Sequence, residues 1–443
     1  MAFDGAISLW SHVRWSLPES RRSIVTVLSV GLRLLTVSLN FLAKPCMILG
    51  PGNLVQGSQL REHAMTTRRQ LLSAAAMGAA AAAIAPRFAR AQSGSGASGG
   101  PERPLPVNAP STKGRYRPPF RFGLGGVAIG NAFRPTTDAI SEATMEAAWA
   151  GGVRYFDTSP WYGLGLSERR FGQFLHNQKR DDFVLSTKIG RLLKPDDHFN
   201  RPLLWKDYPP FRYEYDYTAS GTRRSIEDSL QRFGLSRIDI VFIHDLSSDN
   251  EDMKNDWTRY FEIAMKGAAK ELTKMREEGL IKAWGFGVNT LEPCLRALEE
   301  SDPDIFLAAT NYSLIEHEDE LNRLFPACDK RGVSIVAGAP LNSGFLAGVD
   351  RYNYSDKIPE KHLAKRDRIR AIAARYGTDL RTAALQFCAA PSTVSVVIPG
   401  ARTPQQVNQN IASMKVRIPD DFWSTLKSEG LIASNAPTPK AAS

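Results

Sequence analysis

A carboxylate, a phenol, an ammonium and an imidazole fall within fewer than ninety positions of one another. They are Asp157 and Tyr162 in YFDTSPWYG, Lys188 in VLSTKIG and His244 in IDIVFIHD. Asp157, Lys188 and His244 stand where short β-branched or aromatic runs end, and Tyr162 follows Asp157 in the next loop. Gathered at one place, such groups can move a proton onto a carbonyl oxygen while a hydride reaches its carbon. A phenol with an ordinary pKa near ~10 is a poor acid or base at neutral pH. A neighbouring ammonium stabilises the phenolate, so Lys188 is expected to lower the Tyr162 pKa, with Asp157 holding the lysine charged. His244 can donate a hydrogen bond that orients the substrate oxygen. Taken singly, each residue also has a plain structural reading, as a helix cap, a surface charge or a core pair with Asp245.

The elements that must bring these groups together show as alternation. Strand-like runs fall near Arg121–Ile129, Val153–Asp157, Phe183–Ile189, Ile238–His244, Ala283–Val288, Ile305–Thr310, Val333–Ala339 and Val394–Pro399. Amphipathic helical stretches lie between them, among them Asp138–Ala150, Thr218–Phe233, Gly267–Glu278 and Glu316–Arg331. Gly151, Gly234, Gly279, Gly332 and Gly377 follow helices where a left-handed C-cap is wanted. Eight strands alternating with helices predict an α/β fold of the (β/α)8 TIM barrel type, with functional residues at the carboxyl ends of the strands. A doubly wound sheet would want a GxGxxG turn leading into a helix; the glycine-rich FGLGG at 122–126 lacks that pattern.

Charge and cysteine content narrow the function classes. The chain of 443 residues carries a formal charge of +10, but residues 1–91 hold ten Lys/Arg against three Asp/Glu. That segment contributes +7, leaving +3 for the remainder, so no concentrated basic face points to nucleic acid. Cys46, Cys294, Cys328 and Cys388 form no CxxC or Cys/His cluster, and neither a disulfide framework nor a metal site is expected.

From Met65 the chain reads MTTRRQLLSAAAMGAAAAAIAPRFARAQ. Paired Arg68 and Arg69, an apolar run from Leu71 to Ala85 and the small-x-small end Ala89-Arg90-Ala91 are the three parts of a secretory signal. The paired arginines make residues 65–91 resemble a twin-arginine signal, which implies the twin-arginine translocation machinery as a partner and a periplasmic or extracytoplasmic location. The run is shorter than the ~20 residues needed to cross a bilayer, so no stable membrane span is expected. Residues 1–64 precede what should be a beginning. They are read as a start-site misassignment, the alternative being a genuine N-terminal extension with a membrane anchor. Residues 92–117 are expected to be a flexible Gly/Ser/Pro-rich linker, 118–430 the barrel and 431–443 a C-terminal tail.

From Phe120 to about Ile411 the sequence resembles the aldo/keto reductases. The resemblance is carried by YFDTSPWYGLGLSERRFG, VLSTKIGRLL, DSLQRFGLSRIDIVFIHDL, GVSIVAGAPLNSGFLAG and VIPGARTPQQVNQN. It is nearest the D-threo-aldose 1-dehydrogenase branch, which includes L-fucose and pyridoxal dehydrogenases. The family's catalytic tetrad of Asp, Tyr, Lys and His corresponds to Asp157, Tyr162, Lys188 and His244. The resemblance implies an NAD- or NADP-dependent oxidoreductase acting on an aldose or small aldehyde or alcohol, with Tyr162 as acid or base. It implies that Asn289 meets the carboxamide, and that Pro399, Gly400, Ala401, Arg402, Thr403, Gln406 and Asn410 hold the adenosine-phosphate end. Gln406 argues for NAD and Arg402 for NADP, and the choice stays open. Two positions depart from the general family pattern. Ala309 stands where an amide is usual, and Gly338 where an aromatic stacks on nicotinamide; both departures fit the aldose dehydrogenase branch. Trp161 and Trp205 are expected to line an aromatic substrate pocket, although rings after the third strand could equally pack loop against barrel.

The competing reading is a non-catalytic dinucleotide-binding barrel of the regulatory kind. For the N-terminus, mass spectrometry of the native protein should find no peptide from residues 1–64, and an intact peptide from that region would defeat the misassignment.

Overall fold

The computed structural model describes residues 103–111 and 114–439; the expectations for residues 1–64 and for the signal at 65–91 lie outside them. Among the described residues ten strands follow in chain order. They are β1 (Leu124–Gly125), β2 (Tyr155–Asp157), β3 (Val184–Ile189), β4 (Arg191–Pro195), β5 (Phe211–Tyr215), β6 (Ile240–His244), β7 (Ala283–Val288), β8 (Ile305–Ala309), β9 (Ser334–Gly338) and β10 (Val394–Ile398). The α-helices are α1 (Asp138–Ala150), α2 (Leu166–Leu175), α3 (Ala219–Phe233), α4 (Trp257–Lys266), α5 (Ala268–Glu277), α6 (Glu292–Glu300), α7 (Phe325–Arg331), α8 (Glu360–Arg375), α9 (Leu380–Ala389), α10 (Pro404–Lys415) and α11 (Asp420–Ser428).

Eight strands run parallel in the order β1-β2-β3-β6-β7-β8-β9-β10. The ring closes through bridges Phe122–Val397 and Gly125–Gly400 beside the short β1. This is the expected (β/α)8 barrel. The first strand is shorter than its apolar run suggested, because the chain turns at Gly126, whose N–H donates to the Asp157 carbonyl at 2.7 Å.

Successive strand residues face opposite sides of a sheet, and this parity builds the core and the site together. Tyr155, Val184, Ile240, Phe242, Ile305 and Val336 fill the barrel interior. Phe156, Leu185, Val241, Ile243 and Ile335 pack outward under the helices. On the inward rows, Asp157 comes two residues after Tyr155, Lys188 four after Val184, and His244 two after Phe242. The interior is apolar below and polar only at the carboxyl ends.

Several expectations need correction. Gly151 is not left-handed (φ −77°); that role falls to Gly152 (φ 92°), while Gly234, Gly279, Gly332 and Gly377 do take positive φ. The helix expected from Glu316 starts at Glu318, widens into a π-turn over Glu320–Leu324 and resumes as α-helix at Phe325. Pro326 lacks an N–H and crowds the carbonyl four residues back, which locally breaks the i→i−4 ladder. The linker's described part is built into the fold: Asn108 donates to the Pro118 and Ser395 carbonyls, and Arg117 to the Ser392 carbonyl. Its polar side chains satisfy backbone groups around the starts of the strands. The described part of the tail is docked too, with Leu431, Ile432 and Ala436 buried.

His317 holds that tail. Its Nδ1 lies 2.9 Å from the Ser313 carbonyl, and its Nε2 accepts the Ala433 N–H at 3.0 Å. Only a neutral ring with its proton on Nδ1 satisfies both, and burial, with Lys365 nearby, lowers the pKa to about 4. A histidine depressed on folding stabilises the fold above its unfolded pKa near ~6.5, and that stability is lost as pH falls. Between pH 6.5 and 4 the fold should lose roughly 3 kcal/mol through this residue. Amide exchange at Ala433 should quicken first, and a His317→Gln protein should not show that acid-dependent step.

Candidate active site

The buried ion pair at the mouth comes first. Lys188 Nζ donates to Asp157 Oδ2 and to the Thr158 carbonyl, both at 2.7 Å. Ser186, on the same inward row, donates to Asp157 Oδ1 at 2.7 Å, and the Tyr155 hydroxyl donates to Ser186 Oγ at 3.1 Å. Lys188 is 1% and Asp157 2% exposed. Burial pushes the ammonium down and the carboxyl up, and their mutual attraction opposes both shifts. With three hydrogen bonds made by the pair itself, attraction keeps both groups charged.

Tyr162 sits in the tight loop after β2, its N–H donating to the Ser159 carbonyl at 3.0 Å. Gly130 backs that loop so closely that an added Cβ would lie 2.7 Å from the Tyr162 carbonyl carbon. Lys188 Nζ lies 4.6 Å from the centre of the Tyr162 ring. The expected lowering of the phenol pKa is not the net result. Burial, then Asp157, pushes it well above its usual value, because the ammonium meets the ring face and Asp157 shares its charge. The hydroxyl is a held acid.

His244 is turned by two neighbours. Its Nδ1 is 3.0 Å from Ser159 Oγ, which also accepts the Trp161 N–H at 3.1 Å. Its Nε2 is 3.3 Å from Asp245 Oδ1. Asp245 favours the proton on Nε2, leaving Nδ1 to accept the Ser159 hydroxyl. Burial, reinforced by Lys188 and Arg191, holds the ring pKa well below its usual value, so it is neutral.

Two cavities meet over these groups, with Tyr162, Ala309 and Tyr354 lining both. The smaller, about 140 Å³, also reaches Lys188, His244, Trp161, Trp205 and Asn289. The larger, about 490 Å³, is walled by Gly338, Pro399, Gly400, Ala401, Arg402, Thr403, Gln406 and Asn410. The structure thus gathers every expected site residue around adjoining spaces. Their contacts refine the expectations. Asn289 donates its amide to Asp249 Oδ2 at 2.8 Å, leaving its own oxygen as an acceptor. Gln406 accepts the Arg402 N–H at 2.8 Å. The Arg402 guanidinium donates to the Ala132 and Arg134 carbonyls at 2.5 Å and to Thr136 Oγ1 at 3.0 Å. Arg170 binds the same loop through the Ile129 and Thr136 carbonyls and Asn131 Oδ1. Burial and the nearby Arg134, Arg351 and Arg170 lower Arg402 to about 10, so this corner is strongly positive.

The cavity is suited to a dinucleotide. Its volume is of ligand size, Thr403 caps α10 through the Gln406 N–H, and the basic corner sits where an anion meets a helix N-terminus. Trp205 Nε1 is buried with no hydrogen-bond partner, while its side chain lines the smaller cavity. Trp205 packs edge-on to Trp161, but Tyr213 and Tyr215, on the unforeseen β4–β5 hairpin, pack against Arg191. Sequence reasoning missed Ser186, Ser159, Arg191 and Tyr354. Strand parity from Lys188 could have found Ser186; nothing local marks Arg191 or Tyr354. Among the described residues, no group of three or more His, Cys, Asp or Glu could hold a metal, and no helix is long and apolar enough to cross a membrane.

Residues 121–429 match the sequence pattern described as the Aldo/keto reductase family. The chain is 36% identical over 326 residues to pyridoxal 4-dehydrogenase from Microbacterium luteolum, covering 70% of this chain and 94% of that protein. It is 37% identical over 334 residues to D-threo-aldose 1-dehydrogenase from a Pseudomonas species, covering 72% and 95%. Glycerol dehydrogenase from Gluconobacter oxydans shares the fold, with a TM-score of 0.55 and 22% identity, over 75% of this chain and 98% of that one.

Removing one member of the ion pair tests its weight. Lys188→Met should destabilise the fold by about 3–5 kcal/mol, because Asp157 is left buried and unpaired. The double variant Lys188→Met/Asp157→Asn should recover most of that loss, as read from urea midpoints. Equal loss in both would show that the charges are not coupled.

Proposed function

The chain belongs to the aldo/keto reductase family and is a nicotinamide-dependent oxidoreductase; from that premise we propose that Tyr162 exchanges the proton and that the substrate is an aldose or a small aldehyde or alcohol. The observation that carries the proposal is the convergence of Asp157, Tyr162, Lys188 and His244 on the space where the two cavities join. When bound, the nicotinamide supplies or accepts the hydride.

The chain's own groups do the rest. In carbonyl reduction, Tyr162 donates its hydroxyl proton to the substrate oxygen, and the buried Lys188 ammonium stabilises the phenolate that remains. Asp157 keeps Lys188 in place. His244, neutral and protonated on Nε2, donates to the same oxygen and fixes its direction. In alcohol oxidation the proton runs back to Tyr162. Pro399 to Thr403, Gln406 and Asn410 would hold the phosphate-bearing part of NAD or NADP, and the free oxygen of Asn289 would accept from the carboxamide. Trp161 and Trp205 would close over the substrate, with the unpartnered indole N–H of Trp205 available to a substrate oxygen. Support for a sugar-like substrate comes from the relative that acts on D-threo-aldoses and from the aromatic wall.

We also infer export through the twin-arginine machinery to a periplasmic or extracytoplasmic location. What supports this is the RRQLL start, the apolar run and the Ala89-Arg90-Ala91 end. That route carries folded cargo, so a firmly held dinucleotide could leave with the protein.

Tyr162→Phe should lower turnover by about 10²–10⁴-fold in both directions, assayed over a panel of aldoses and aldehydes. NADH and NADPH binding, followed by fluorescence, should stay close to that of the unaltered protein. Turnover that survives the substitution would remove Tyr162 from the proton step.

A further inference from the structure

Beyond favouring the proton on His244 Nε2, the carboxylate of Asp245 lines the smaller cavity beside Tyr162 and His244. Strand parity would point the residue after His244 away from the barrel interior. Instead the chain turns left-handed at Asp245 (φ 47°), and the side chain reaches the cavity. Such a backbone is uncommon outside glycine and persists when the surroundings impose it.

Two contacts define what Asp245 presents. Its Oδ2 accepts from Arg191 Nη1 at 2.7 Å. Its Oδ1 lies 3.3 Å from His244 Nε2. Arg191 is 5% exposed and caged by aromatic rings, its guanidinium carbon 4.5 Å from the Trp161 ring centre and 4.9 Å from that of Tyr215. A guanidinium so enclosed cannot swing away, so Oδ2 stays engaged and Oδ1 stays beside the imidazole. The cavity therefore offers a donor, the Nε2–H of His244, next to an acceptor, Oδ1 of Asp245.

A substrate with one oxygen can satisfy only the donor. A substrate with a hydroxyl on the neighbouring carbon can satisfy both: its reacting oxygen takes the imidazole N–H, and its adjacent O–H donates to Oδ1. A substrate lacking that hydroxyl displaces water from the carboxylate and returns nothing, the arrangement by which a site discriminates most strongly. We propose that Asp245 is a specificity-determining residue that selects substrates with a hydroxyl next to the reacting carbon, the pattern of aldoses and vicinal diols. The inference rests on reading this cavity as the substrate site of the oxidoreductase.

The test measures binding, so that it can fail separately from catalysis. The full-length protein is loaded with NADH or NADPH, a dead-end state for alcohols, and Trp fluorescence follows the binding of propane-1,2-diol, propan-1-ol and 2-fluoropropan-1-ol. The diol should bind about tenfold or more tightly than propan-1-ol, as expected for a hydrogen bond to a charged group. The fluoro compound, which has similar bulk but cannot donate from the neighbouring carbon, should bind no better than propan-1-ol. In Asp245→Asn the amide oxygen pairs with Arg191 and turns the NH2 toward His244, so the diol preference should fall to near unity while dinucleotide affinity is kept. Equal binding of diol and mono-ol by the unaltered protein, a fluoro compound that matches the diol, or a preference that survives Asp245→Asn would each overturn the proposal. The fluoro comparison needs no variant, so it decides even where Asp245→Asn fails to fold. A protein that shows this selectivity but turns over no substrate would sink the catalytic reading and leave the inference standing.

Discussion

An ammonium and a carboxylate, each almost wholly out of water, meet at 2.7 Å where two neighbouring barrel strands end. Taking such charges from water carries a penalty of several kcal/mol each, and the site is organised around recovering it. Ser186 and the Thr158 carbonyl complete the polar shell. Tyr162 lays its ring over the ammonium, and the apolar interior below excludes the water that would screen the pair. A closed ring of parallel strands supplies this arrangement, because alternate residues of every strand point to one shared axis.

Much of this was legible in the chain because it is written in short-range chemistry. The ends of β2, β3 and β6 fall where apolar runs stop at Asp157, Lys188 and His244, and period-2 alternation suffices to place them inward. Four of five glycine caps were readable for the same reason, and the exception, Gly151, fails by one position. Other features depend on partners distant in sequence. The hairpin of β4 and β5 forms around Arg191, whose charge is answered by Asp245 fifty-four positions on. The stretch at 103–117 has a linker's composition, yet Asn108 finds a carbonyl at Ser395. The direction of the Tyr162 shift was misjudged because burial, a property of the whole fold, outweighs a neighbouring cation that meets the ring and not the hydroxyl.

The two departures from the general family pattern are physically one. Ala309 and Gly338 are register partners on adjacent strands, and a Cβ at Gly338 would stand 3.0 Å from the Ala309 Cβ. A larger group at either position would press on the other. Together they keep side-chain bulk off the wall of the larger cavity, where Tyr162 also stands.

The loop spanning residues 129 to 136 is gripped from both sides, by Arg170 from α2 and by Arg402 from the turn before α10. The six atoms it offers these guanidinium groups are thereby fixed at folding. A ligand entering the large cavity meets a wall with little conformational entropy left to lose. Its binding free energy is then diminished less by ordering the protein, and its escape must wait on arginine contacts breaking together. Under the export proposed above, slow exchange of this kind would make the nucleotide behave as a resident group and not as a co-substrate.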